Sequence, residues 1–165
     1  MTKYFVAVTA LLVALQVVDA HAQVRDKVYK DWTVYTTNLD GKKICYMASF
    51  PKSKTGNYTK RDEPFFLVTN VDGQVYEPST SSGYRYKKNS KVKVTIDKQT
   101  FYMSRLQGER AWADNEKIDL ELIKSMKAKN FMNVKGTSIK GTYSEDRYSL
   151  SGFSAAYDRM NSLCK

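Results

Sequence analysis

Histidine is almost absent from this sequence of 165 residues, which contains only His21. That residue falls in residues 1–22, a segment we predict to be removed on export, so the mature chain would have no histidine. Such a chain cannot use a Ser-His-Asp or Cys-His catalytic arrangement, and it offers no imidazole to zinc, copper or haem iron. Most mechanisms of exported hydrolases are thereby excluded, although a carboxylate-pair enzyme is not.

Long hydrophobic runs are also scarce, because residues 4–18 form the one extended apolar stretch. Lys3 precedes this run, and Ala20-His21-Ala22 follows it with the small-x-small pattern of a cleavage site. The run is shorter than the roughly 20 residues that a membrane span needs. We therefore predict a signal peptide at residues 1–22, with an uncleaved anchor as the alternative and no transmembrane segment after cleavage.

Cysteine occurs twice, as Cys45 and Cys164. In an oxidising compartment two cysteines allow a single pairing, which would close a loop of nearly the whole mature chain. The alternative is two separate buried thiols. Cys164 follows a predicted helix at residues 154–163 and shares one face with Tyr157 and Met160, so it is placed to meet a strand.

Short alternating segments separated by turns dominate the mature chain. Residues 24–27 are predicted to be a mobile leader, residues 51–64 a loop, and residues 114–127 a helix. Pro78 indicates an edge position for its strand, which follows a hairpin turn at Asp72-Gly73. We predict one domain at residues 23–165, an all-β antiparallel β-sandwich or barrel-like fold with one mid-chain and one C-terminal helix. The predicted strands lie at residues 27–37, 43–50, 65–69, 74–82, 91–96, 100–106, 110–113, 131–138 and 142–150.

Positive charge is in excess, with a formal net charge of +10. Tyrosines are interleaved with the cationic clusters, a pattern that can serve nucleic acid, but export makes nucleic acid an unexpected partner. An anionic envelope or host-cell surface is the partner we expect, and the alternative is a solvated surface that keeps the protein soluble. The candidate surface-binding residues are Lys52, Lys54, Lys60, Arg61, Arg85, Lys87, Lys88, Lys91 and Lys93.

The acidic residues show no local pattern that predicts a catalytic or metal site. Asp62-Glu63, Asp119 with Glu121, and Glu145-Asp146 are adjacent or two apart, and alternating calcium ligands are missing. Trp32 and Trp112 each lie in a short alternating segment, which favours core packing over ligand stacking. No catalytic residue, metal site or cofactor is therefore predicted.

Several segments follow one another in a familiar order along nearly the whole mature chain. They are Asp31-Trp32-Thr33-Val34, Ile44-Cys45-Tyr46-Met47, Phe50-Pro51-Lys52-Ser53, Ser82-Gly83-Tyr84, Arg110-Ala111-Trp112-Ala113, Val134-Lys135-Gly136-Thr137-Ser138, Thr142-Tyr143-Ser144, and Tyr148-Ser149-Leu150-Ser151-Gly152-Phe153-Ser154-Ala155-Ala156-Tyr157. In these segments the chain resembles the bacterial invasion-associated locus B family.

That resemblance implies an exported bacterial protein with a β-sandwich-like fold, periplasmic, associated with the outer membrane or secreted. Some members of the family are linked to entry into host cells, and the family implies neither catalytic residues nor a cofactor. We therefore expect a non-enzymatic envelope protein that binds an anionic envelope or host-cell surface and contributes to host-cell invasion. The alternatives are a periplasmic structural or stress-related protein without a surface partner, and a carboxylate-dependent hydrolase.

Overall fold

A computed structural model describes residues 23–71, Gly73 and residues 75–165. The predicted signal peptide and Asp72 of the predicted turn lie outside the described residues. The strands are β1 (Val24–Tyr29), β2 (Trp32–Leu39), β3 (Lys42–Ser49), β4 (Ser53–Gly56), β5 (Phe65–Val71), β6 (Val75–Ser81), β7 (Val92–Ile96), β8 (Gln99–Met103), β9 (Arg105–Gln107), β10 (Arg110–Trp112), β11 (Phe131–Thr137) and β12 (Tyr143–Ser149). The helices are α1 (Glu116–Ala128) and α2 (Phe153–Leu163).

Two antiparallel sheets form a sandwich-like fold, which confirms the predicted all-β architecture with two helices. The larger sheet has the order β1-β2-β3-β5-β6-β10-β9, and the smaller has the order β4-β12-β11-β7-β8. Phe66 of the larger sheet meets Tyr148 of the smaller with ring centroids 6.1 Å apart, and both side chains are fully buried. The core therefore lies between the inner faces of the two sheets.

The two-residue period of the strands decides which side chains enter this core. In β7, Val92, Val94 and Ile96 are fully buried, while Lys93 between them is exposed. In β3, Cys45 and Met47 lie on the same face and are fully buried, and Ala48 and Ser49 at the end of the strand are buried as well.

Two predictions about local structure are wrong. Residues 24–27 are not a leader but part of β1, which pairs with β2, and Asp26 also binds Arg159 of α2 at 2.7 Å. The predicted loop at residues 51–64 contains β4, which pairs with β12 at the edge of the smaller sheet. All four residues of β4 are exposed, so no apolar alternation marks this strand in the sequence.

The strand that contains Pro78 is also not at an edge, because β6 lies between β5 and β10. β10 pairs only with Ser79, Thr80 and Ser81, so Pro78 lies beyond the part of β6 that has a neighbour on that side. The shortness of β10 thus allows a proline inside the sheet. In β5, Phe66 and Val68 are buried, whereas Phe65, Leu67 and Thr69 are only half-buried, so β5 is not covered equally on both faces.

The two helices cover the larger sheet at different places. α1 begins two residues later than predicted, because Asn115 is the N-cap and its side chain accepts a hydrogen bond from the Ile118 amide at 3.1 Å. α1 packs on β6, and α2 packs on β2 and β3. Gly152 before α2 has φ +89° and lies against the Tyr29 carbonyl, so a side chain there would be both strained and obstructed.

A disulfide joins Cys45 of β3 to Cys164 after α2, with their Cα atoms 5.9 Å apart. Both cysteines are buried. The predicted pairing is therefore confirmed, and the C-terminal helix is held covalently to an inner strand of the larger sheet.

A basic cavity as the candidate functional site

The predicted cationic residues have very different surroundings in the fold. Lys52 forms an ion pair with Asp31, and Lys54 donates to the carboxylate of Glu63 at 2.9 Å. Both lysines are close to β4 and partly exposed, but each already faces an opposite charge. Their charge is therefore locally balanced, which weakens their attraction to an external anion.

Arg61 does not belong to the cationic surface, which corrects the sequence-based prediction. Its side chain is only 3% exposed and forms a two-pronged ion pair with Asp146 of β12, whose side chain is 1% exposed. Arg61 also donates to the Ser82 carbonyl at 2.9 Å and lies over the Tyr58 ring at 4.3 Å. Asp146 points inward from its strand, so it needs a buried cation, and Arg61 supplies it.

Burial lowers the pKa of Arg61, but the hydrogen bonds and the charge of Asp146 together outweigh burial and raise that pKa above its ordinary value. Two tyrosines extend the network: the Tyr84 and Ser144 hydroxyls are 2.8 Å apart, and the Tyr86 hydroxyl donates to Ser82 Oγ at 2.9 Å. Burial raises the pKa of both Tyr84 and Tyr86, so both phenols stay neutral. The network therefore stabilises the fold and does not form a surface that could contact a large partner.

Two adjoining cavities lie next to this network and are lined by several cations. The smaller has a volume of about 230 Å³ and the larger about 550 Å³, and Arg85 and Ile139 line both. The smaller is lined by Tyr58, Lys60, Tyr84, Arg85, Ser138, Ile139, Lys140 and Thr142, and the larger by Arg85, Tyr86, Lys88, Asn89, Ser104, Leu106, Gly108 and Ile139. We call these two cavities together the basic cavity.

The charge of the basic cavity has one sign. Lys60, Arg85, Lys88 and Lys140 line it, and no carboxylate does. Across the described ranges, none of these four cations forms an ion pair. Ile139 is 60% exposed where the two cavities meet, so an apolar side chain stands among the charges.

Backbone hydrogen bonds bring distant segments together at this place. The Ile139 amide donates to the Arg85 carbonyl at 2.9 Å, and the Lys87 amide donates to the Thr137 carbonyl at 3.0 Å. The Tyr86 amide donates to the Gly108 carbonyl at 3.0 Å. The segment that contains Arg85 and Lys88 is thereby held to the turn between β11 and β12.

Sequence reasoning therefore found three of the four cations and missed Lys140 and Ile139. Lys140-Gly141 is recognisable in the sequence as a turn, but nothing in the sequence says which other segment that turn meets. Lys87 is exposed beside the basic cavity without lining it. Lys91 lies over the Tyr102 ring at 5.7 Å, and Lys93 lies on the outer face of the smaller sheet beside Lys135.

The acidic residues and tryptophans considered above do not line the basic cavity. The larger part of the basic cavity has the greatest volume among the cavities described, and it has no acidic lining residue. Across residues 23–165, as far as they are described, no group of three or more His, Cys, Asp or Glu side chains could hold a metal ion. Trp32 is fully buried and donates to the Ser149 carbonyl at 3.1 Å, which confirms core packing. Trp112 differs from the prediction, because it is only half-buried and lines a cavity with Glu77 and Arg105.

These features define a class: a disulfide-bonded, sandwich-like antiparallel β protein with an unneutralised basic cavity. The chain matches the family model for the Invasion associated locus B (IalB) protein over residues 32–161 and belongs to that family. Proteins of this family are exported envelope proteins, and the family is not known as an enzyme family. No curated protein matches the chain, and no solved structure does. In the described part of the chain, neither helix is long and apolar enough to cross a membrane.

Proposed function

We propose that this IalB-family protein is a non-enzymatic envelope protein that binds an anionic surface through the basic cavity. The observation that carries the proposal is the group of four cations, Lys60, Arg85, Lys88 and Lys140, that line one concave surface without a carboxylate. Lysine and arginine near an anionic surface each contribute about 1 kcal/mol to binding. Four such groups on one surface therefore support specific docking.

The chemistry of the cavity favours phosphate groups of the bacterial envelope. Arg85 offers a planar set of donors suited to a phosphate, while the lysines act as point charges around it. The exposed Ile139 and the two tyrosines beside it supply apolar contacts to the acyl or sugar part next to a phosphate. We propose a periplasmic location, with the mature protein held at the inner face of the outer membrane.

The test is binding to vesicles of phosphatidylcholine alone and of phosphatidylcholine mixed with phosphatidylglycerol, measured by co-sedimentation. We expect the protein to bind only the anionic vesicles and the K60Q/K140Q variant to bind roughly thirtyfold more weakly, because two surface charges of about 1 kcal/mol each are lost. The matched control is K52Q/K54Q, which removes the same net charge from lysines that are already paired. We expect the control to bind like the unaltered protein.

An equal loss in both variants would show that net charge rather than the basic cavity drives binding. No binding to anionic vesicles would overturn the proposal and favour a structural or stress-related role without a surface partner.

Fractionation of native cells provides the second test: we expect the protein in the outer-membrane fraction at low salt and in the soluble periplasmic fraction at high salt.

A role in host-cell invasion is a separate prediction that rests on the same surface. We expect the K60Q/K140Q variant to reduce adhesion of bacteria to host cells if the protein reaches the cell surface, while K52Q/K54Q does not. Equal adhesion of all three strains would restrict the function to the bacterial envelope.

A further inference from the structure

A second cavity has the opposite charge and lies where α1 begins against the larger sheet. Its volume is about 220 Å³, and it contains four carboxylates around one guanidinium. This is unusual in a protein with a formal net charge of +10. The lining residues are Tyr76, Glu77, Arg105, Asp114, Asn115, Glu116 and Asp119. We call it the acidic cavity.

Most of the polar groups in the acidic cavity have partners within the protein. Glu77 accepts from Arg105 at 2.5 Å, and Asp114 accepts from the Ser104 hydroxyl at 2.5 Å. The Asn115 side chain caps α1. These contacts fix the walls of the cavity and leave few groups free for a ligand.

Asp119 is the exception among the buried groups of the cavity. It is only 6% exposed, and its Oδ1 atom has no hydrogen-bond partner among the described residues. A buried carboxylate oxygen without a donor costs free energy, and native structures normally satisfy such groups. Asp119 therefore has a carboxylate with an unused acceptor, and the residue lines a cavity large enough for a small ligand.

Burial and the neighbouring charge of Glu77 raise the pKa of Asp119 to about 6, while Arg105 opposes this rise and Glu116 adds to it. Asp114 is the remaining acidic group of the cavity wall. At neutral pH the Asp119 carboxylate is still mainly ionised, so the group that would satisfy it best is a donor with a positive charge.

We propose that the acidic cavity binds a primary ammonium group, which donates a hydrogen bond to the Asp119 carboxylate. An ammonium is a compact donor that one free oxygen can hold, whereas a guanidinium prefers two acceptor oxygens. A metal ion is disfavoured, because the described part of the chain has no group of three or more His, Cys, Asp or Glu side chains that could hold one. Tyr76 also lines the cavity, so an aromatic residue lies in the same wall.

The size of the acidic cavity limits the ligand. A volume of about 220 Å³ corresponds to roughly seven water molecules at about 30 Å³ each. A short aliphatic amine fits this space, and so does the end of a lysine side chain from another protein. Both sources present the same chemical group, and the experiment distinguishes them.

The test is calorimetric titration of the purified protein with two probes, putrescine and a lysine residue blocked at both backbone ends. We expect saturable binding of at least one probe and at least tenfold weaker binding to the D119N variant, which keeps the shape of the side chain. The control is E121Q, which removes one negative charge from an exposed position of α1 outside the cavity. We expect E121Q to bind like the unaltered protein.

Affinity is also expected to fall as the pH drops through about 6, because protonation of Asp119 removes the charge that holds the ammonium. Tighter binding of putrescine would identify a free amine as the ligand, and tighter binding of blocked lysine would identify a partner's side chain. Either result supports the proposal if the D119N variant binds the same probe more weakly than the unaltered protein does.

Equal binding to D119N and to the unaltered protein would overturn the proposal, as would no saturable binding of either probe. Binding of calcium ions that depends on Asp119, in the absence of amine binding, would replace it with a metal site. Thermal unfolding of D119N, expected at no lower temperature than that of the unaltered protein, excludes misfolding as the cause. None of these outcomes depends on the basic cavity, so the two proposals fail or stand separately.

Discussion

The guanidinium of Arg61 and the carboxylate of Asp119 are both buried, but only Arg61 has a partner of opposite charge in contact with it. Arg61 and Asp146 satisfy each other between the loop before β5 and strand β12. Asp119 instead lines the acidic cavity, and its Oδ1 atom has no hydrogen-bond partner among the described residues. At the scale of single residues, the partner decides whether a buried charge is structural or available for binding.

Replacement of Arg61 by methionine is expected to be strongly destabilising. The R61M variant leaves Asp146 as a buried charge without its partner, a change that typically costs about 3–5 kcal/mol of unfolding free energy. Denaturant unfolding, with the slope m compared between variants, measures the loss. The R61M/D146L double variant is expected to lose less than R61M, because no charge remains buried. A double variant as unstable as R61M would show that packing rather than charge pairing explains the effect.

Asp119 is expected to make stability depend on pH in an unusual direction. Its pKa in the folded protein is about 6, above the value of about 3.9 for an unfolded chain, so the folded state binds the proton more tightly. The unfolding free energy should therefore fall as the pH rises from about 4 to about 6. D119N removes this penalty, so we expect it to be more stable than the unaltered protein at neutral pH by on the order of 1–3 kcal/mol.

The measurement is denaturant unfolding of both proteins near pH 4 and near pH 7.5. The advantage of D119N should be present at the higher pH and absent at the lower one, with E121Q as the control. An advantage that is the same at both pH values would refute the role of ionisation.

At the scale of secondary structure elements, the position of α2 is over-determined. The Phe153 ring meets Trp32 edge to face at 5.0 Å, Arg159 binds Asp26 of β1, and the disulfide joins the end of the helix to β3. Covalent and non-covalent contacts therefore hold the same helix. The disulfide acts mainly on the unfolded chain, which it closes into a loop with a sequence separation of 119.

Removal of the disulfide is expected to lower stability without releasing α2 from the fold. The chain-entropy model gives about 4–5 kcal/mol for a loop of this length, so we expect C45A/C164A to lose about 3–5 kcal/mol of unfolding free energy. Thermal unfolding in the presence and absence of a reducing agent measures this effect. The reducing agent should destabilise the unaltered protein and leave C45A/C164A unchanged. A double variant with unaltered stability would show that the disulfide does not stabilise the protein by restricting the unfolded chain.

At the scale of the whole molecule, positive and negative side chains are concentrated in different regions of the surface. The basic cavity contains cations alone, and the acidic cavity contains four carboxylates. The outer face of the smaller sheet carries cations over aromatic rings, where Lys135 lies 4.9 Å from the Tyr143 ring and Arg147 lies 4.2 Å from the Phe131 ring. Positive and negative side chains therefore line separate cavities of the molecule.

Binding to anionic vesicles is expected to weaken steeply with salt. Exposed charges are screened over about 10 Å at 0.1 M ionic strength and over about 3 Å at 1 M. Co-sedimentation across this range should show loss of binding, and K60Q/K140Q should show a shallower dependence because fewer charges take part. Binding that is unchanged across the range would contradict an electrostatic mechanism.

Local patterns were sufficient for much of the fold. The alternation of β7 identified its buried face, the helix predicted at residues 114–127 matches α1 to within two residues, and the inward face of α2 placed Cys164 against a strand. Each of these features depends on neighbours within two turns of a helix or a few residues of a strand, and such neighbours are visible in a sequence.

The features that the sequence did not reveal depend on neighbours far apart in the chain. β4 exists because it pairs with β12, some 90 residues later, and Arg61 is buried because Asp146 lies beneath it. The basic cavity needs Arg85 to meet the turn of Ile139, and the acidic cavity needs α1 to lie against β6. Periodicity tells which way a side chain faces along its own element, but the order and register of strands in a sheet determine what that side chain meets, and these are set by the packing of the whole chain.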